Sequence, residues 1–412
     1  MQPMTEVSGS ALTPVDSACR LIRETVPQIS GVESVELLAA RGRILEQEIR
    51  AGIDVPPFAN SAMDGYALRA ADACTAPVRL PVNRRIAAGQ AGGALPAGEA
   101  ARIFTGAALP EGADAVVIQE NCRAGDGEVT VLTPVTPGDH VRAAGDAVRA
   151  GDLLFRAGHR LQPQDIGVLA SIGCADVPVR RKLRVGLLVT GNELAAPGTP
   201  LLPGQIYNGN FYTLASMLQH MPVELADLGI AADDLEHTRQ ALIEASARVD
   251  CIITTGGVSV GDEDHVRAAV ESEGELQLWK LAIKPGKPLA YGKVRQTVFF
   301  GLPGNPVSAF VTFCLIVRPA LFRMMGAEGT APAGYRLPAG FSSPQSGNRQ
   351  EYLRVTIKVD ADGNEQALPF DNQSSGAGSS LSRSSGLLVV PPRTAVEPGD
   401  RLIFIPYSEL LA

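Results

Sequence analysis

The sequence predicts a multidomain α/β and β protein: a doubly wound α/β domain, an N-terminal helical/linker region, an inserted mostly β domain and a C-terminal β-barrel. The chain has 412 residues, whereas single domains commonly hold about 100 to 200. Between residues 183 and 325, apolar strand-like runs alternate with helical patterns, which is typical of βαβ units and a mainly parallel sheet. On both sides of this region, short β-type runs are separated by Gly, Pro and Asn.

Composition narrows the class of ligand. Hydrophobic residues make up 45% of the chain, enough for buried cores, and 43 glycines and 30 prolines indicate many turns. The net charge of -8 argues against non-specific binding to nucleic acid or to an anionic membrane, because both need a broad positive field. An anionic ligand would therefore need a local site.

Cysteine use and apolar stretches predict a soluble, cytoplasmic protein. The six cysteines lie 48 or more residues apart and form no C-x-x-C pair, which favours a reducing compartment. The first twenty residues contain no apolar run of signal-peptide length. The longest apolar stretch, Ala309 to Val317, is shorter than the about 20 residues of a membrane span. Five scattered histidines argue against a histidine-built metal site.

Periodicity predicts the elements in order. Residues 13–48 have helical spacing, with an N-cap at 13–16. A second helix is predicted at 164–172, and a β-rich stretch lies between the two helical regions. In the α/β region we expect strands at 185–189, 251–254 and 297–300, a helix at 210–220, and a helix capped by Asp233 or Asp234. Asn305 and Pro306 suit the N-cap and first position of the next helix. Strands at 352–359, 386–390 and 401–406 predict a small barrel or sandwich, and the Ser/Gly segment 371–380 reads as a flexible loop.

These patterns give four predicted domains. Residues 1–50 and 150–180 form a helical/linker domain, with part of the N-terminus packing elsewhere. Residues 51–149 form the inserted β-rich domain, 181–330 the α/β domain and 331–412 the C-terminal barrel.

Three loops of the α/β region suit an anion. The segment Gly256 to Gly261 directly follows a buried strand, so its backbone N–H groups can approach an anion, although the glycines alone fit a tight turn equally well. Three lysines, Lys280, Lys284 and Lys287, lie within eight residues among prolines and glycine, where a solvated lysine rim is the alternative. The segment 301–308 presents a helix start with Ser308 in its first turn, which alone would be only an N-cap.

Carboxylates in loops are candidate magnesium ligands, because Mg²⁺ prefers oxygen and often lies between one or two carboxylates and a substrate phosphate. For each acid taken singly, capping or turn formation is the alternative, and sequence separation does not show that the acids converge. The candidates are Asp64, Asp146, Glu193, Asp233 and Asp234.

Taken together, these segments resemble the molybdopterin molybdenumtransferase (MoeA) family, which includes the E domain of gephyrin, over nearly the whole chain. The motifs that carry the resemblance are P-P-F-x-N-S-A-M-D-G-Y at 56–66, R-I-F-T-G-A at 102–107, T-G-N-E-L at 190–194, G-G-V-S-V-G-D-E-D at 256–264, W-K-L-A-I-K-P-G-K-P at 279–288 and G-L-P-G-N-P-V-S at 301–308.

The resemblance implies an enzyme that inserts molybdate into adenylylated molybdopterin and releases AMP in a magnesium-dependent reaction. It implies a homodimer whose site lies between the α/β domain of one subunit and the D-G-Y domain of the other, and a possible adenylyltransferase and molybdoenzymes as partners. Metal and adenylate chemistry would fall to Asp64, Thr105, Glu193, Asp233 and Asp264, with Asp64, Glu193 and Asp264 as metal ligands. Molybdate and substrate would be bound by Ser259, Lys280, Lys284, Lys287, Pro303, Pro306, Ser308 and Arg354.

Two positions depart from the family pattern. The family commonly has an Arg-containing segment followed by G-E-D, whereas here Arg142-Ala143-Ala144-Gly145 is followed by Asp146-Ala147, so the second acid is absent. In T-G-N-E-L, Asn192 replaces the usual aspartate, while Glu193 is retained.

Two other functions compete. An adenylyltransferase acting one step earlier shares the α/β domain, but that domain accounts for only about a third of this chain. A gephyrin-like scaffold would bind a partner peptide through the C-terminal region. The anion-suited loops favour catalysis over a purely structural role.

Overall fold

The computed structural model describes residues 12–231, 234–257 and 265–411, and it divides into two compact units. The described part of the first unit comprises residues 12–33, 42–46 and 179 onward. The second unit comprises 34–41 and 47–178. Most of the second unit, 47–178, is thus inserted in the sequence of the first unit, and the short segment 42–46 of the first unit lies between its two parts.

Nine α-helices lie in the part of the chain that the structure describes. They are α1 Val15–Thr25, α2 Pro163–Ser171, α3 Gly209–Gln219, α4 Leu235–Ser246, α5 His265–Glu273, α6 Pro306–Thr312, α7 Arg318–Met324, α8 Ser379–Ser382 and α9 Tyr407–Leu411. A π-helical segment, Phe313–Val317, joins α6 to α7.

The strands are β1 Val32–Glu36, β2 Ile49–Arg50, β3 Asn60–Ser61, β4 Gly65–Leu68, β5 Val78–Ile86, β6 Ala100–Ile103, β7 Ala115–Ile118, β8 Cys122–Ala124, β9 Glu128–Val131, β10 Val141–Arg142, β11 Leu153–Phe155, β12 Asp176–Arg180, β13 Leu183–Thr190, β14 Leu194–Ala195, β15 Ile206–Tyr207, β16 Val223–Ala231, β17 Cys251–Thr255, β18 Gly274–Lys280, β19 Ile283–Lys284, β20 Pro288–Val294, β21 Thr297–Leu302, β22 Tyr335–Pro338, β23 Gln350–Val359, β24 Glu365–Pro369, β25 Gly386–Val390 and β26 Arg401–Pro406.

The first unit contains the expected doubly wound sheet, in the order β16-β13-β17-β21-β20-β18. One apolar core packs α1, α3, α6 and α7 against one face, and a second packs α4 and α5 against the other. The first four strands are parallel. Strand β20 is antiparallel to both of its neighbours, β21 and β18. It is connected to β21 by the two-residue turn Arg295-Gln296, which is too short for the crossover that a parallel pair needs.

The C-terminal part of the first unit forms the predicted small barrel. Strands β24, β23, β25, β26 and β22 are neighbours in that order and antiparallel. A bridge between Ala339, just after β22, and Ala367 of β24 closes the ring. The short strand β19, which carries Lys284, pairs with the start of β23 and so connects the barrel to the α/β part of the same unit.

The second unit is mostly β, as the sequence predicts for its central part. Its main sheet has the order β7-β4-β6-β5-β9-β8 and is mixed, with β5 and β6 parallel. Two short antiparallel pairs, β10 with β3 and β11 with β2, complete it. The predicted helix at 164–172 is present as α2, with a capping box between Gln162 and Asp165.

The prediction of helix over 13–48 is wrong beyond residue 25. Helix α1 ends at Thr25, and Val26 takes an extended conformation, as expected for the residue before a proline, here Pro27. The remainder is β1, a single 3₁₀ turn at Leu37–Ala39, and β2. The N-cap position is Pro14, with no side-chain cap.

One helical stretch among the described residues, Pro306–Met324, has the length and apolar composition of a membrane span. It is longer than the apolar stretch expected from the sequence, because α6, the π-helical segment and α7 continue without a break. Its apolar window is 94% buried inside the protein. This is the burial of a core helix.

Candidate active site

A cavity of about 1030 Å³ lies in the first unit, where the parallel strands end. Residues that follow β13, β17 and β21 form one side of it, and the barrel and the loop after β19 form the other. It is lined by Glu193, Ile206, Gly256, Gly257, Lys284, Pro285, Gly286, Lys287, Pro288, Pro303, Gly304, Asn305, Pro306, Ser308, Arg349, Gln373, Ser374, Ser375 and Gly376. The carboxyl end of a parallel sheet is where α/β proteins bind ligands.

Asn210 in α3 ties two of these strand ends together. Its Nδ2 donates to Thr255 Oγ1 at 3.0 Å and to the Gly304 carbonyl oxygen at 2.7 Å. Thr255 Oγ1 in turn donates to the Pro303 carbonyl oxygen at 3.3 Å. The loops after β17 and β21 are therefore held at a fixed separation.

The glycines after β17 serve both as a turn and as a pocket wall. Gly256 and Gly257 have φ of +91° and +63°, and both line the cavity. A Cβ on Gly256 would lie 2.9 Å from the Thr190 carbonyl oxygen, and one on Gly257 would lie 2.5 Å from Val266 Cγ2. Only glycine fits there without displacing a neighbour, so the turn is confirmed, whereas anion binding by this pair stays a prediction.

The three lysines do not form one loop. Lys280 ends β18 opposite Pro288 of β20 and does not line the cavity. Lys284 lies in β19 and Lys287 in the turn before β20, and both line the cavity. The β18–β20 pairing nevertheless brings the backbones of Lys280 and Lys287 close together, because Lys280 pairs with Pro288 and the Leu281 N–H donates to the Lys287 carbonyl oxygen at 2.7 Å.

Lys284 has an acidic partner. Its Nζ lies 3.1 Å from Glu351 Oε1, and its side chain remains 51% exposed. The pairing of β19 with β23 fixes this contact, because Lys284 and Glu351 occupy the same register position. Gly286, at φ +110°, makes the turn to Lys287 and lies so close to α6 that a Cβ would be 2.6 Å from Thr312 Oγ1.

The start of α6 forms the floor of the cavity. Pro306 occupies the first helical position as predicted, but the Asn305 side chain makes no capping bond. Instead, the Val307 N–H donates to the Ser375 carbonyl oxygen at 3.0 Å. Ser308, only 4% exposed, lies one residue further on and lines the cavity.

Arg354, a predicted substrate-binding residue, does not line the cavity. It is 1% exposed and donates to Ser380 Oγ at 3.0 Å and to the carbonyl oxygens of Asn372 and Ser374 at 2.9 and 3.0 Å. Burial lowers the pKa of its guanidinium. The Ser/Gly segment expected to be a flexible loop is therefore hydrogen-bonded around Arg354, and its residues 373–376 form part of the cavity wall.

Asp64 and Thr105 belong to the second unit, where they contact each other. Asp64 Oδ1 accepts from the Thr105 N–H at 2.8 Å and from Thr105 Oγ1 at 2.9 Å. These bonds, with the nearby Arg102 guanidinium, hold the pKa of the Asp64 carboxyl below its usual range. The Arg102 guanidinium also packs over the rings of Tyr66 and Phe104.

Of the other predicted acids, Glu193 lines the cavity with its side chain exposed. Asp233, Ser259 and Asp264 lie outside the described residues. Asp234 is the N-cap of α4 and accepts from the His237 N–H at 3.0 Å. Among the described residues, no group of three His, Cys, Asp or Glu side chains converges.

Sequence reasoning missed several residues of the cavity, among them Arg349, whose Nη1 donates to the Ile283 carbonyl oxygen at 3.4 Å. Arg349 directly precedes β23, the strand that carries Glu351 and Arg354. The one sequence feature that could have indicated its role is a basic residue at the start of a strand. Gln373 to Gly376 were missed as lining residues because Ser/Gly composition predicts a linker rather than a wall.

The fold and the cavity define a multidomain α/β protein with an anion-suited pocket at the carboxyl ends of its parallel strands. Family models match it in three consecutive parts: the MoeA N-terminal region (domain I and II) over 13–173, a probable molybdopterin binding domain over 186–323, and the MoeA C-terminal region (domain IV) over 336–407.

Individual members of the same family are similar to the chain over nearly its whole length. The chain is 36% identical to the molybdopterin molybdenumtransferase of Haemophilus influenzae over 400 residues, covering 96% of this chain and 99% of the relative. It is 35% identical to that of a Nostoc species, covering 92% and 91%. The crystal structure of the molybdopterin biosynthesis MoeA protein of Pyrococcus horikoshii OT3 superposes with a TM-score of 0.83 at 29% identity, covering 96% of this chain and all of the other. The chain belongs to the molybdopterin molybdenumtransferase family, and it is a transferase.

Proposed function

We propose that this protein inserts molybdate into adenylylated molybdopterin and releases AMP, which completes molybdenum cofactor. The observation that carries the proposal is the cavity of about 1030 Å³, which combines Lys284, Lys287 and Arg349 with the glycine turn after β17. Molybdate and the adenylate phosphates are all anions. A pocket lined by cations at strand ends, inside a chain of net charge -8, supports selective binding of such groups.

The lining residues offer different kinds of hydrogen-bond donor to a bound oxyanion. Lys287 offers a point charge for an oxyanion, and Arg349 offers a planar donor set that can bind two oxygens at once. Ser308 offers a hydroxyl at the floor. The Nζ of Lys284 already forms an ion pair with Glu351 Oε1 at 3.1 Å. An incoming oxyanion therefore has to compete with this carboxylate for the ammonium group.

We also propose that the reaction requires Mg²⁺. The donor set fits, because the acid among the described lining residues is Glu193 and the remaining candidate donors are hydroxyl and carbonyl oxygens, which suit a hard cation. Mg²⁺ usually keeps several waters and takes only one or two protein carboxylates, so a cluster of three acids is not required. Glu193 would hold it, with Asp64 and Asp264 as further proposed ligands. When bound, the ion would neutralise charge as the phosphoanhydride breaks.

Three further points are proposals from the family resemblance: a homodimer, a cytoplasmic location, and contact with an adenylyltransferase and with molybdoenzymes that receive the cofactor. Two other functions remain as candidates to be tested. An adenylyltransferase would form adenylylated molybdopterin instead of consuming it. A scaffold protein would leave it unchanged.

The deciding experiment incubates the purified protein with adenylylated molybdopterin, molybdate and Mg²⁺, and measures AMP release. We expect release that depends on both molybdate and Mg²⁺, and Lys287→Ala to lower kcat/KM by about 10²-fold because it removes a charge from the anion pocket. Asp64→Asn and Lys284→Ala are expected to abolish insertion in a folded protein.

The matched control is Lys358→Ala. Lys358 is an exposed lysine of β23 that does not line the cavity, and this variant should retain full activity. If wild-type protein released no AMP, the scaffold function would gain support. Full activity of Lys287→Ala would remove Lys287 from the mechanism.

A further inference from the structure

The main sheet of the second unit carries two arginines side by side, close to Asp64. Arg85 of β5 pairs in register with Arg102 of β6, and Arg102 pairs in turn with Tyr66 of β4. Side chains at paired positions of neighbouring strands share one face of a sheet. The ring centroid of Phe104 lies 4.4 Å from Arg85 Cζ and 4.8 Å from Arg102 Cζ. Two positive charges are therefore held against one aromatic ring.

The two arginines differ in what they bind. Arg102 Nη1 donates to the Gly65 carbonyl oxygen at 2.9 Å, and its Nη2 donates to Gln119 Oε1 at 2.6 Å. Arg85 is exposed and makes no hydrogen bond or ion pair with the residues that the structure describes. All five N–H donors of its guanidinium are thus open to a ligand. Stacking on Phe104 restricts the guanidinium plane, so less freedom is lost when a ligand binds.

Asp64 also has an open polar atom. Its Oδ1 accepts both hydrogen bonds from Thr105, whereas its Oδ2 accepts none from the described part of the chain. The Thr105 bonds and, more weakly, the nearby Arg102 guanidinium hold the pKa of the Asp64 carboxyl below its usual range. Phe104, against which Arg85 packs, directly precedes Thr105. One region of the second unit therefore presents an open carboxylate oxygen and an open guanidinium that do not pair with each other.

We propose that Arg85 binds the phosphoanhydride of adenylylated molybdopterin, beside Mg²⁺ held by Asp64. This inference rests on the proposed function, which supplies both the substrate and the role of Asp64. A phosphoanhydride carries oxygens on two phosphorus atoms, so one oxygen can contact the metal while others accept the planar donors of Arg85. Arg102 donates to groups of the protein and contributes positive charge. A single oxyanion without the metal gains only one exposed charge contact, which stabilises binding little.

The direct test measures how fast phenylglyoxal, a reagent for accessible guanidinium groups, modifies Arg85, with peptide fragmentation in a mass spectrometer to separate it from Arg84. The probe is inorganic pyrophosphate with Mg²⁺. We expect saturating pyrophosphate with Mg²⁺ to slow modification of Arg85 at least about tenfold, and molybdate or sulfate without Mg²⁺ to leave it unchanged. Asp64→Asn should remove the protection. Unslowed modification of Arg85 in the wild-type protein would overturn the proposal.

The role in the reaction is tested by AMP-release kinetics of Arg85→Ala. We expect KM for adenylylated molybdopterin to rise about tenfold, because a charge-assisted hydrogen bond to the substrate is lost, and KM for molybdate to change by less than about twofold. Arg85→Lys keeps the charge but not the planar donors, so it should recover only part of the loss. Both variants should unfold at the wild-type urea midpoint. An effect on KM for molybdate alone, or on neither KM, would contradict the assignment.

Arg123→Ala is the matched control. Arg123 is an exposed arginine of β8 in the same sheet, and its loss should leave both KM values unchanged. Equal effects of Arg85→Ala and Arg123→Ala would overturn the proposal, because they would trace the change to net charge. A wild-type protein that releases no AMP would refute the proposed function instead, and protection by pyrophosphate would still decide whether Arg85 belongs to a phosphate site.

Discussion

Asp64 and Thr105 show how two hydrogen bonds from one residue favour the ionised form of a partly exposed acid. The carboxylate accepts both the N–H and the Oγ1 of Thr105, and these bonds favour its ionised form. Because the pKa in the folded protein lies below its ordinary value, the contact stabilises the fold above the ordinary Asp pKa. This stabilisation is lost as the pH falls through the lowered pKa.

We therefore expect Thr105→Val to raise the pKa of Asp64 toward its ordinary range, because the hydroxyl bond is lost while the backbone bond remains. A carbon-detected NMR titration of the Asp64 carboxyl measures this directly. The chain supplies its own control in Asp139, whose carboxylate accepts the N–H and Oγ1 of Thr136 in the same way. Its pKa should stay low in Thr105→Val and rise in Thr136→Val. An unchanged Asp64 pKa would show that the hydroxyl bond has no role.

At the scale of elements, Asn210 links a helix to two strand ends. We expect Asn210→Leu to lower the free energy of unfolding by about 1 kcal/mol, because two side-chain hydrogen bonds are lost at a partly buried position. We also expect KM for molybdate to rise, since the loops after β17 and β21 lose their common anchor. Urea unfolding and AMP-release kinetics measure the two effects.

Asn83→Leu provides the comparison for Asn210. The Asn83 side chain donates to Glu99 on the exposed surface of the second unit, so its loss should change stability by less than about 0.5 kcal/mol. Equal effects of the two variants would show that Asn210 has no special role at the strand ends.

Elements were predictable from sequence where local chemistry decides them. Pro306 marks the start of α6, and the alternation of apolar runs predicts the doubly wound sheet, because both signals lie within a few residues. The end of α1 was also locally encoded, by Pro27, but helical spacing across 13–48 obscured it. The lysines show the opposite case: eight residues of sequence hold three of them, yet only Lys284 and Lys287 line the cavity, while Lys280 ends β18.

The wall of the cavity could not be predicted in this way. Arg354 binds the backbone carbonyls of residues 18 and 20 positions further along the chain, and every residue has a carbonyl, so no side-chain pattern marks these acceptors. In the sequence, an arginine in a strand followed by a Ser/Gly segment predicts a binding residue next to a flexible linker. The fold of the barrel brings the Ser/Gly segment back to β23, where its carbonyl oxygens accept from Arg354 and its residues 373–376 line the cavity.

At the scale of the whole molecule, the described cavity belongs entirely to the first unit. We expect molybdate without added Mg²⁺ to slow hydrogen exchange in peptides of residues 179–411 that line the cavity, and to leave peptides of residues 47–178 unchanged, because Asp64 in that unit is proposed to bind Mg²⁺ rather than molybdate. A ligand stabilises only the parts whose opening disrupts its site. Sulfate at the same ionic strength is the control for general salt effects. Protection confined to the second unit would mean that molybdate binds elsewhere.

The insertion of the second unit also has a consequence for synthesis on the ribosome. Helix α1 packs against the π-helical segment and α7, and Cys19 Sγ donates to the Leu315 carbonyl oxygen across 296 positions of sequence. At about 5 to 20 residues per second, translation reaches that partner only about 15 to 60 seconds after α1 has been made. The intervening unit, 34–41 with 47–178, has its own cores and can fold during this interval. The apolar face of α1 has no partner during this interval, and we expect this exposed surface to make the nascent chain prone to aggregation.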